Sequence, residues 1–531
     1  MVNGLRNNKR HSSVFRTTAR FISIVAIMVL GGQVLSAQEK GFLSVFEDNQ
    51  GMSMKPNDIV ETPNGEFLII ANEDGGTKSK VLKIDAEGIL TDEIAIGAQD
   101  TVLKLNNLFL IQDDIRSNVH YLAVGTCSPA GGGHDAIITI WFDADLNVLH
   151  RVIEPVSFTN LTLYATRFVD INGSIVASLM FSGNDGKKVF LIRLSEEGEI
   201  VRHEECATDS LLFVANLFPI HGEQERIGML ALTSASSQAR SGVLVFDSLL
   251  SLERNVFFHP WESVENEHVL QSYINADECM MAPLSDGNYV LSSKLWEKEM
   301  LPNWTLIRED RSVILAKVDE NFEMLHDSII IKHFNDSIEI PAPFRSVVAT
   351  EDDFLYQSSN GNVVYPNSLF RGGLHLIITK TDMDLNVVWQ KRYLRDGSAY
   401  GAFTSLATAD GGLIVTGTRY NFNVDQRLDI FVLKINADGT VGAEEDSIMK
   451  ETEVYPNPGT STLNIRTALP NARMEVYDTN GRLIHSQAIT ENVTAIDAGG
   501  WTEGVYVWKV YTTSISTNSL TLVETGKWIK E

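Results

Sequence analysis

The chain shows none of the compact signatures of catalysis. It contains no H-E-x-x-H, no G-x-S-x-G, no phosphate-binding G-x-x-x-x-G-K-S/T loop and no dinucleotide glycine pattern. Its twelve histidines are scattered. The run Gly131-Gly132-Gly133-His134-Asp135 could let backbone N–H groups approach an oxyanion, but it reads first as a flexible loop between two strands. The pairs Asp143/Asp145 and Asp382/Asp384 could offer oxygen ligands to Ca²⁺. The rest of such a coordination shell is missing nearby, and both pairs sit in a turn where Asp side chains satisfy their own backbone. No metal or cofactor is therefore expected; Ca²⁺ is the alternative, which the spacing does not support. Cys127, Cys206 and Cys279 lack C-x-x-C spacing, so three buried apolar thiols are favoured over one disulfide with a leftover thiol.

Better candidates for ligand contact lie on long stretches between strands. Ser292 to Arg311 carries Trp296, Trp304 and Arg308; Gln357 to Gly373 carries Tyr365, Phe370 and Arg371. Arg419 to Leu428 carries Tyr420, Phe422 and Arg427. Long loops in a compact β array tend to be functional. Aromatic rings stack on sugars or fill protein pockets, and arginine adds bidentate hydrogen bonds. The plainer alternative is that these rings only hold the loops down on the sheets. No catalytic residue is assigned.

A repeat must position these stretches. A β-rich strand, an Asp- or Gly-containing turn and a second strand recur at Asp85, Asp143, Ser195, Asp247, Asp319, Asp382 and Asn436, with spacings of 58, 52, 52, 72, 63 and 54 residues. A second turn signal lies upstream of several copies, as Asn64-Gly65, Asn172-Gly173, Asp286-Gly287 and Asp410-Gly411. Asn-Gly and Asp-Gly between alternating apolar residues mark hairpins, because both positions tolerate positive φ. Two hairpins per unit imply about four antiparallel strands, the content of a propeller blade. The expectation is an all-β protein, with a seven-bladed β-propeller over 38–446. Two stacked β domains or an eight-bladed ring are the alternatives. The last blade lacks a convincing fourth strand, and Phe42-Leu43-Ser44-Val45-Phe46 is available to close the ring.

Composition agrees with a folded, extracytoplasmic protein. Of 531 residues, 44% are apolar and 21% charged, which excludes a mainly disordered chain. The net charge of −26, with basic residues concentrated only at the start, argues against nucleic acid as a partner. Residues 1–37 carry Arg6, Lys9, Arg10, Arg16 and Arg20, then an apolar run from Phe21 to Leu30, then small residues up to Ala37. That order reads as a signal peptide, with an uncleaved anchor as the alternative. Cleavage after Ala37 would remove five positive charges, taking −26 to near −31.

After a linker at 447–452 the texture changes. Tyr455-Pro456-Asn457-Pro458 opens the tail; Val476-Tyr477-Asp478-Thr479-Asn480-Gly481-Arg482-Leu483 forms a hairpin signal; Gly504-Val505-Tyr506-Val507-Trp508-Lys509-Val510 follows. Several short strands in residues 453–531 suit a small C-terminal β-sandwich. The stretch resembles the type A C-terminal sorting domain of the type IX secretion system of the Bacteroidota. The ending, Lys530-Glu531, is slightly less basic than is usual there. The resemblance implies that the translocon reads the tail, and that the tail is then removed. The cargo is released to the medium or attached to lipopolysaccharide on the cell surface. Within that frame the propeller is expected to bind a glycan or protein ligand. The alternative is a secreted glycosidase-like hydrolase with two carboxylates at the channel mouth.

Overall fold

The computed structural model describes residues 41–531 apart from 49–50, 75–76, 98–100, 114–117, 130–134, 158, 160, 184–185, 207–210, 223–224, 236–237, 259–260, 266–267, 301–305, 332–338, 362, 364–373, 394–397, 423–426, 442–451, 468–471, 490–492 and 514–519. The signal-peptide expectation lies outside the described residues. Among the described residues no helix is long and apolar enough to cross a membrane.

Among the described residues the regular elements are all strands. Up to Ile435 they form seven antiparallel sheets. Consecutive sheets touch through their innermost strands, and the seventh touches the first through Met54–Glu61 and Ser398–Ala407. The sheets are thus blades of a propeller, as the sequence led one to expect. The strand Phe42–Phe46 runs beside Leu428–Ile435, from the pair Phe42↔Lys434 to Phe46↔Ile430, as the outermost strand of blade seven. Phe42 joins the core shared with blade one, while Leu43 and Val45 pack on the core shared with blade six.

The strict four-strand unit needs two corrections. Blade five has five strands and a long arm, because Trp261–Glu265 is added and the innermost strand runs over His268–Pro283. In blade six the innermost strand is broken into Ile340–Pro341 and Val347–Ala349.

One turn holds the repeat together. At Asp85, Asp143, Ser195, Asp247, Asp319, Asp382 and Asn436 the backbone N–H bonds the carbonyl four residues on, and the carbonyl accepts from the N–H three residues on. In the first six copies the side-chain oxygen also accepts from the N–H groups two and four residues ahead. The fourth turn residue has positive φ every time. It is Gly88, Gly198 and Gly439 in three copies, but Leu146, Leu250, Phe322 and Leu385 in the others. A left-handed Leu or Phe costs about 1–2 kcal/mol. All four side chains are buried, which returns roughly 1.5–3 kcal/mol each, so the turn is kept. Phe322 shows how: its ring lies 5.2 Å from Tyr289 and 6.1 Å from Phe218, in the core between blades four and five.

The turn carboxylates make stability depend on acid. Burial is the largest single influence on Asp143 and Asp438 and raises both, but the hydrogen bonds of their own turns together outweigh it and hold both below the usual carboxylate range. Asp286 and Asp410 are held low in the same sense by Lys317 and Lys434, again against burial. A lowered folded pKa stabilises above the unfolded value of about 3.9, and that contribution is lost as pH falls through the folded value. Thermal melting temperature should therefore stay level from pH 7 to 5 and drop below pH ~4. The Asp143→Asn and Asp438→Asn variants should show a shallower drop. Equal acid slopes in variants and parent would refute the assignment.

The tail contains a three-stranded sheet (Thr452–Tyr455, Thr462–Thr467, Val493–Asp497) and a four-stranded sheet (Ala472–Asp478, Leu483–Ala488, Gly504–Thr513, Leu520–Lys530). Both feed one apolar cluster that includes Leu463, Ile465, Met474, Val476, Trp508 and Trp528.

Candidate functional site

The centre of the ring is built by irregularities that the repeat conceals. The innermost strands are bulged at Pro56/Asp58, Leu105/Asn107, Leu163/Ala165, Val214/Asn216, Asn275/Met280 and Ala402/Thr404. A bulge turns backbone groups away from their ladder, and neighbouring blades satisfy them. Asn72 donates to Leu105 O (2.8 Å) and accepts from Leu105 N (2.9 Å). Asn360 does the same with Ala402, at 3.0 and 2.7 Å. Asn216 does so with Met281, at 2.9 and 3.2 Å.

In blade six, Pro341 ends the first piece of the strand and Pro343 lies within the break, since proline cannot donate to a ladder. The segment between Pro341 and Val347 reaches across the ring. Phe344 N donates to Phe403 O at 2.8 Å, and the two rings are 6.5 Å apart. The same Phe344 ring lies 5.7 Å from the Arg167 guanidinium of blade three. Arg345 donates to Asp58 and to Ile59 O of blade one, and to Thr404 Oγ1 of blade seven at 3.3 Å. Blade six neighbours only five and seven, so contacts with one and three cross the axis.

The charges there are firmly held. Asp58 is 3% exposed. Its carboxylate also accepts from Ile59 N (2.9 Å), Leu108 N (2.9 Å) and Asn107 Nδ2 (3.3 Å). Burial nevertheless raises its pKa, with Arg345 opposing. A carboxylate so enclosed is a structural clamp rather than a general acid free to meet substrate. Arg167 donates through Nε to Ala215 O (2.6 Å) and through Nη1 to Thr166 O (2.8 Å), and its guanidinium is 5.5 Å from the Phe213 ring.

The candidates from sequence are not all brought together. Tyr420 and Phe422 form an edge-to-face pair at 5.4 Å where Leu413–Asn421 ends, and Phe422 is 45% exposed. Arg427 stands just before the next strand, Leu428–Ile435, and one of its guanidinium nitrogens lies 2.9 Å from where a Gly51 side chain would begin. Blade five differs from expectation: on either side of 301–305 the stretch belongs to paired strands, Tyr289–Met300 and Leu306–Val318, with Trp296 opposite Arg311 and Glu299 opposite Arg308 in the register. Pairing satisfies backbone groups that a loop of that length would leave to solvent. Trp304, Tyr365, Phe370 and Arg371 lie outside the described residues, as do Gly131 to His134. Asp135 ties strands together instead, accepting from Ser128 Oγ and from Leu163 N at 2.9 Å. Asp143 and Asp382 serve their turns, and among the described residues no cluster of three metal-ligating side chains forms. Cys127, Cys206 and Cys279 are not joined in disulfides; burial pushes Cys206 up to about 12, which makes it inert at neutral pH.

Sequence reading passed over Arg167, Phe344, Arg345 and Asp58. The available signal was Pro341-Ala342-Pro343-Phe344-Arg345, a proline-broken stretch without counterpart in the other repeats.

In the tail, first and last residues clamp each other. Asn457 Nδ2 donates to Lys527 O and Asn457 Oδ1 accepts from Ile529 N, both at 2.9 Å. Trp528 Nε1 donates to Pro456 O at 2.6 Å. Gly459 exchanges backbone bonds with Ile529 O and Glu531 N at 2.9 Å. Pro458 links Asn457 to that glycine, and Tyr455 pairs with Asn464 just before it. Asp478 caps the Asn480-Gly481 turn, accepting from Asn480 N and Arg482 N at 3.0 Å. Gly504, at φ 148°, opens its strand. Tyr506 donates to Thr502 O at 2.7 Å and stacks near Trp501 and Trp528. Lys509 Nζ lies 5.2 Å from the Tyr477 ring centre.

No curated protein matches the chain. Among solved structures, the WD40 domain of SCAP from fission yeast is 7% identical with a TM-score of 0.34, over 74% of this chain and 98% of that one. Polysaccharide lyase Uly1 is 9% identical with a TM-score of 0.40, over 72% and 90%. PorZ, a surface component of the type-IX secretion system of Porphyromonas gingivalis, is 9% identical with a TM-score of 0.16, over 91% and 82%. At these scores none of the three assigns an activity. The tail is different: residues 453–524 match the secretion system C-terminal sorting domain, and the chain is therefore one exported to the cell surface or extracellular medium.

Proposed function

We propose that this protein is a non-enzymatic binder of the cell surface or medium, carried there by the type IX route of a member of the Bacteroidota. Residues 1–37 act as signal peptide, 38–446 as the binding propeller, 447–452 as linker and 453–531 as a type A sorting tail. After export the tail is removed and the propeller is released or attached to lipopolysaccharide. The ligand is a glycan or a protein, met by the ends of the blades. The pair Tyr420 and Phe422, partly exposed at the edge of blade seven, carries this reading. Arg427 stands close by in sequence to add hydrogen bonds. The enclosure of Asp58 favours binding over the hydrolase alternative, because its oxygens are already occupied.

A glycan array probed with the purified protein, run beside a glycosidase substrate panel, tests the proposal. Retention on a defined glycan class without turnover is expected, with a loss of about tenfold or more in the Tyr420→Ala/Phe422→Ala double variant. Substrate turnover would replace this reading with the hydrolase.

A further inference from the structure

Arg167 is a cation with unused capacity. It lies on the innermost strand of blade three, Thr162–Ile171, in a chain with 43 basic and 69 acidic residues. No carboxylate pairs with it among the described residues; it donates to two backbone carbonyls, Ala215 O and Thr166 O. A guanidinium carries five donors, so the fork still has hydrogens to offer. Its Phe213 and Phe344 neighbours supply aromatic faces on two sides, at 5.5 and 5.7 Å. Toward the start of the same strand, at the Leu163/Ala165 bulge, Tyr164 stands 44% exposed. The Lys187 ammonium lies 5.7 Å from the Tyr164 ring. Blade three thus carries Lys187, the exposed Tyr164 and the half-buried Arg167, and Phe213 of blade four and Phe344 of blade six flank the guanidinium.

We propose that this strip binds an acidic saccharide of the uronic-acid class, with its carboxylate on Arg167 and its ring faces against Tyr164 and Phe344. The inference rests on the glycan reading above and names its charge. Desolvation draws the Arg167 pKa down to about 10, so the group stays charged at neutral pH but lacks the counter-charge that burial calls for. A planar carboxylate matches the guanidinium fork in two parallel hydrogen bonds. Phosphate or sulfate could also meet the fork, but flanking aromatic faces select an acid carried on a sugar ring, whose C–H faces stack on them. The net charge of −26 repels a long polyanion, which favours a short glycan with a single acid group.

Calorimetric titration of the purified full chain decides the matter. The probes are a glucuronate-terminated trisaccharide, its glucose-terminated counterpart, acetate and inorganic phosphate. The acidic trisaccharide should bind about tenfold tighter than the neutral one. Arg167→Gln should erase that preference. Arg167→Lys, which keeps charge without the fork, should fall between. Phe344→Ala should weaken both trisaccharides alike and leave the acid preference standing. Melting curves accompany each variant, and if Arg167→Gln does not fold, Arg167→Lys and Phe344→Ala carry the decision. Equal affinity for acidic and neutral sugars, or a preference that survives at Arg167→Gln, would overturn the proposal. Acetate or phosphate binding as tightly as the sugar acid would overturn it too, leaving a simple anion site. Glycan binding lost on Tyr420→Ala/Phe422→Ala but indifferent to Arg167 would sink this inference and leave the proposed function intact; no saccharide binding at all would sink both.

Discussion

Deleting residues 41–46 should broaden the thermal transition of the propeller and move it to lower temperature. That short strand supplies five backbone pairs to blade seven and belongs to no other sheet. Its side chains enter two cores: Phe42 and Phe46 lie with the blade one side, Leu43 and Val45 with the blade six side. Ser44 Oγ adds a hydrogen bond to Gly88 O of the blade one turn, at 2.7 Å. Gly88 itself must be glycine there, since φ is 82° and a side chain would strike the Phe42 ring. Burying Phe42 and partly covering Leu43, Val45 and Phe46 stabilises by roughly 3–6 kcal/mol, a large share of the stability of a typical domain. Calorimetry of the deletion should show a broadened transition at lower temperature, and limited proteolysis should cut first within blade seven. Leu43→Asp, which places one charge in the core without shortening the chain, should cost about 3 kcal/mol. A deletion variant that melts like the parent would mean that the ring does not depend on this strand.

The bulged, proline-broken centre explains where ligand contact is to be sought. Arg345 bonds blades one and seven while its neighbour Phe344 reaches blade three. The Arg345 bonds close the centre of the ring to a ligand passing through it, while the Arg167 fork beside Phe344 keeps hydrogens to offer. What stays open to solvent are side chains nearer the blade ends, such as Tyr164 and Phe422. The acid at the centre holds the architecture, and the unpaired cation on blade three is the group left with binding capacity.

Much of the blade pattern was legible because its turns use local chemistry. An Asp that bonds N–H groups two and four residues ahead needs nothing from the rest of the fold, so Asp85, Asp247 and Asp319 mark their hairpins from sequence alone. The fourth turn residue was less legible: Leu146, Leu250, Phe322 and Leu385 take positive φ only because a neighbouring core rewards their burial. The blade five arm was hidden because Trp296 to Arg311 is rich in charge and looks like loop, although strand pairing depends on backbone bonds as well as apolar alternation. The candidate site was the least legible. Arg167 and Phe344 are far apart in the chain, and Asp58 and Arg345 are separated by 287 positions. Only closing the ring brings them together, and no local spacing encodes that.

The tail offers the most direct link from packing to destination. Gly459 sits between Pro456 O and the Trp528 ring, each 2.8 Å from where a side chain would begin. Gly459→Val cannot fit without pushing the final strand off Asn457 and Trp528, which would break the bonds that join the two ends of the tail. Trp528 is fully buried, so Trp528→Ala should cost about 3–5 kcal/mol, enough to unfold a small domain. In the native host, fractionation with immunoblotting should find both variants retained inside the outer membrane, uncleaved at the tail, while the parent reaches the surface or medium. Asn480→Ala, at an exposed turn, should leave the core intact and separates recognition from folding: a tail that folds but is retained would mark that turn as a contact of the export machinery. Normal export of Gly459→Val and Trp528→Ala would mean that the machinery reads the tail as an unfolded strand, and that the clamp between Asn457 and Ile529 serves the folded protein only.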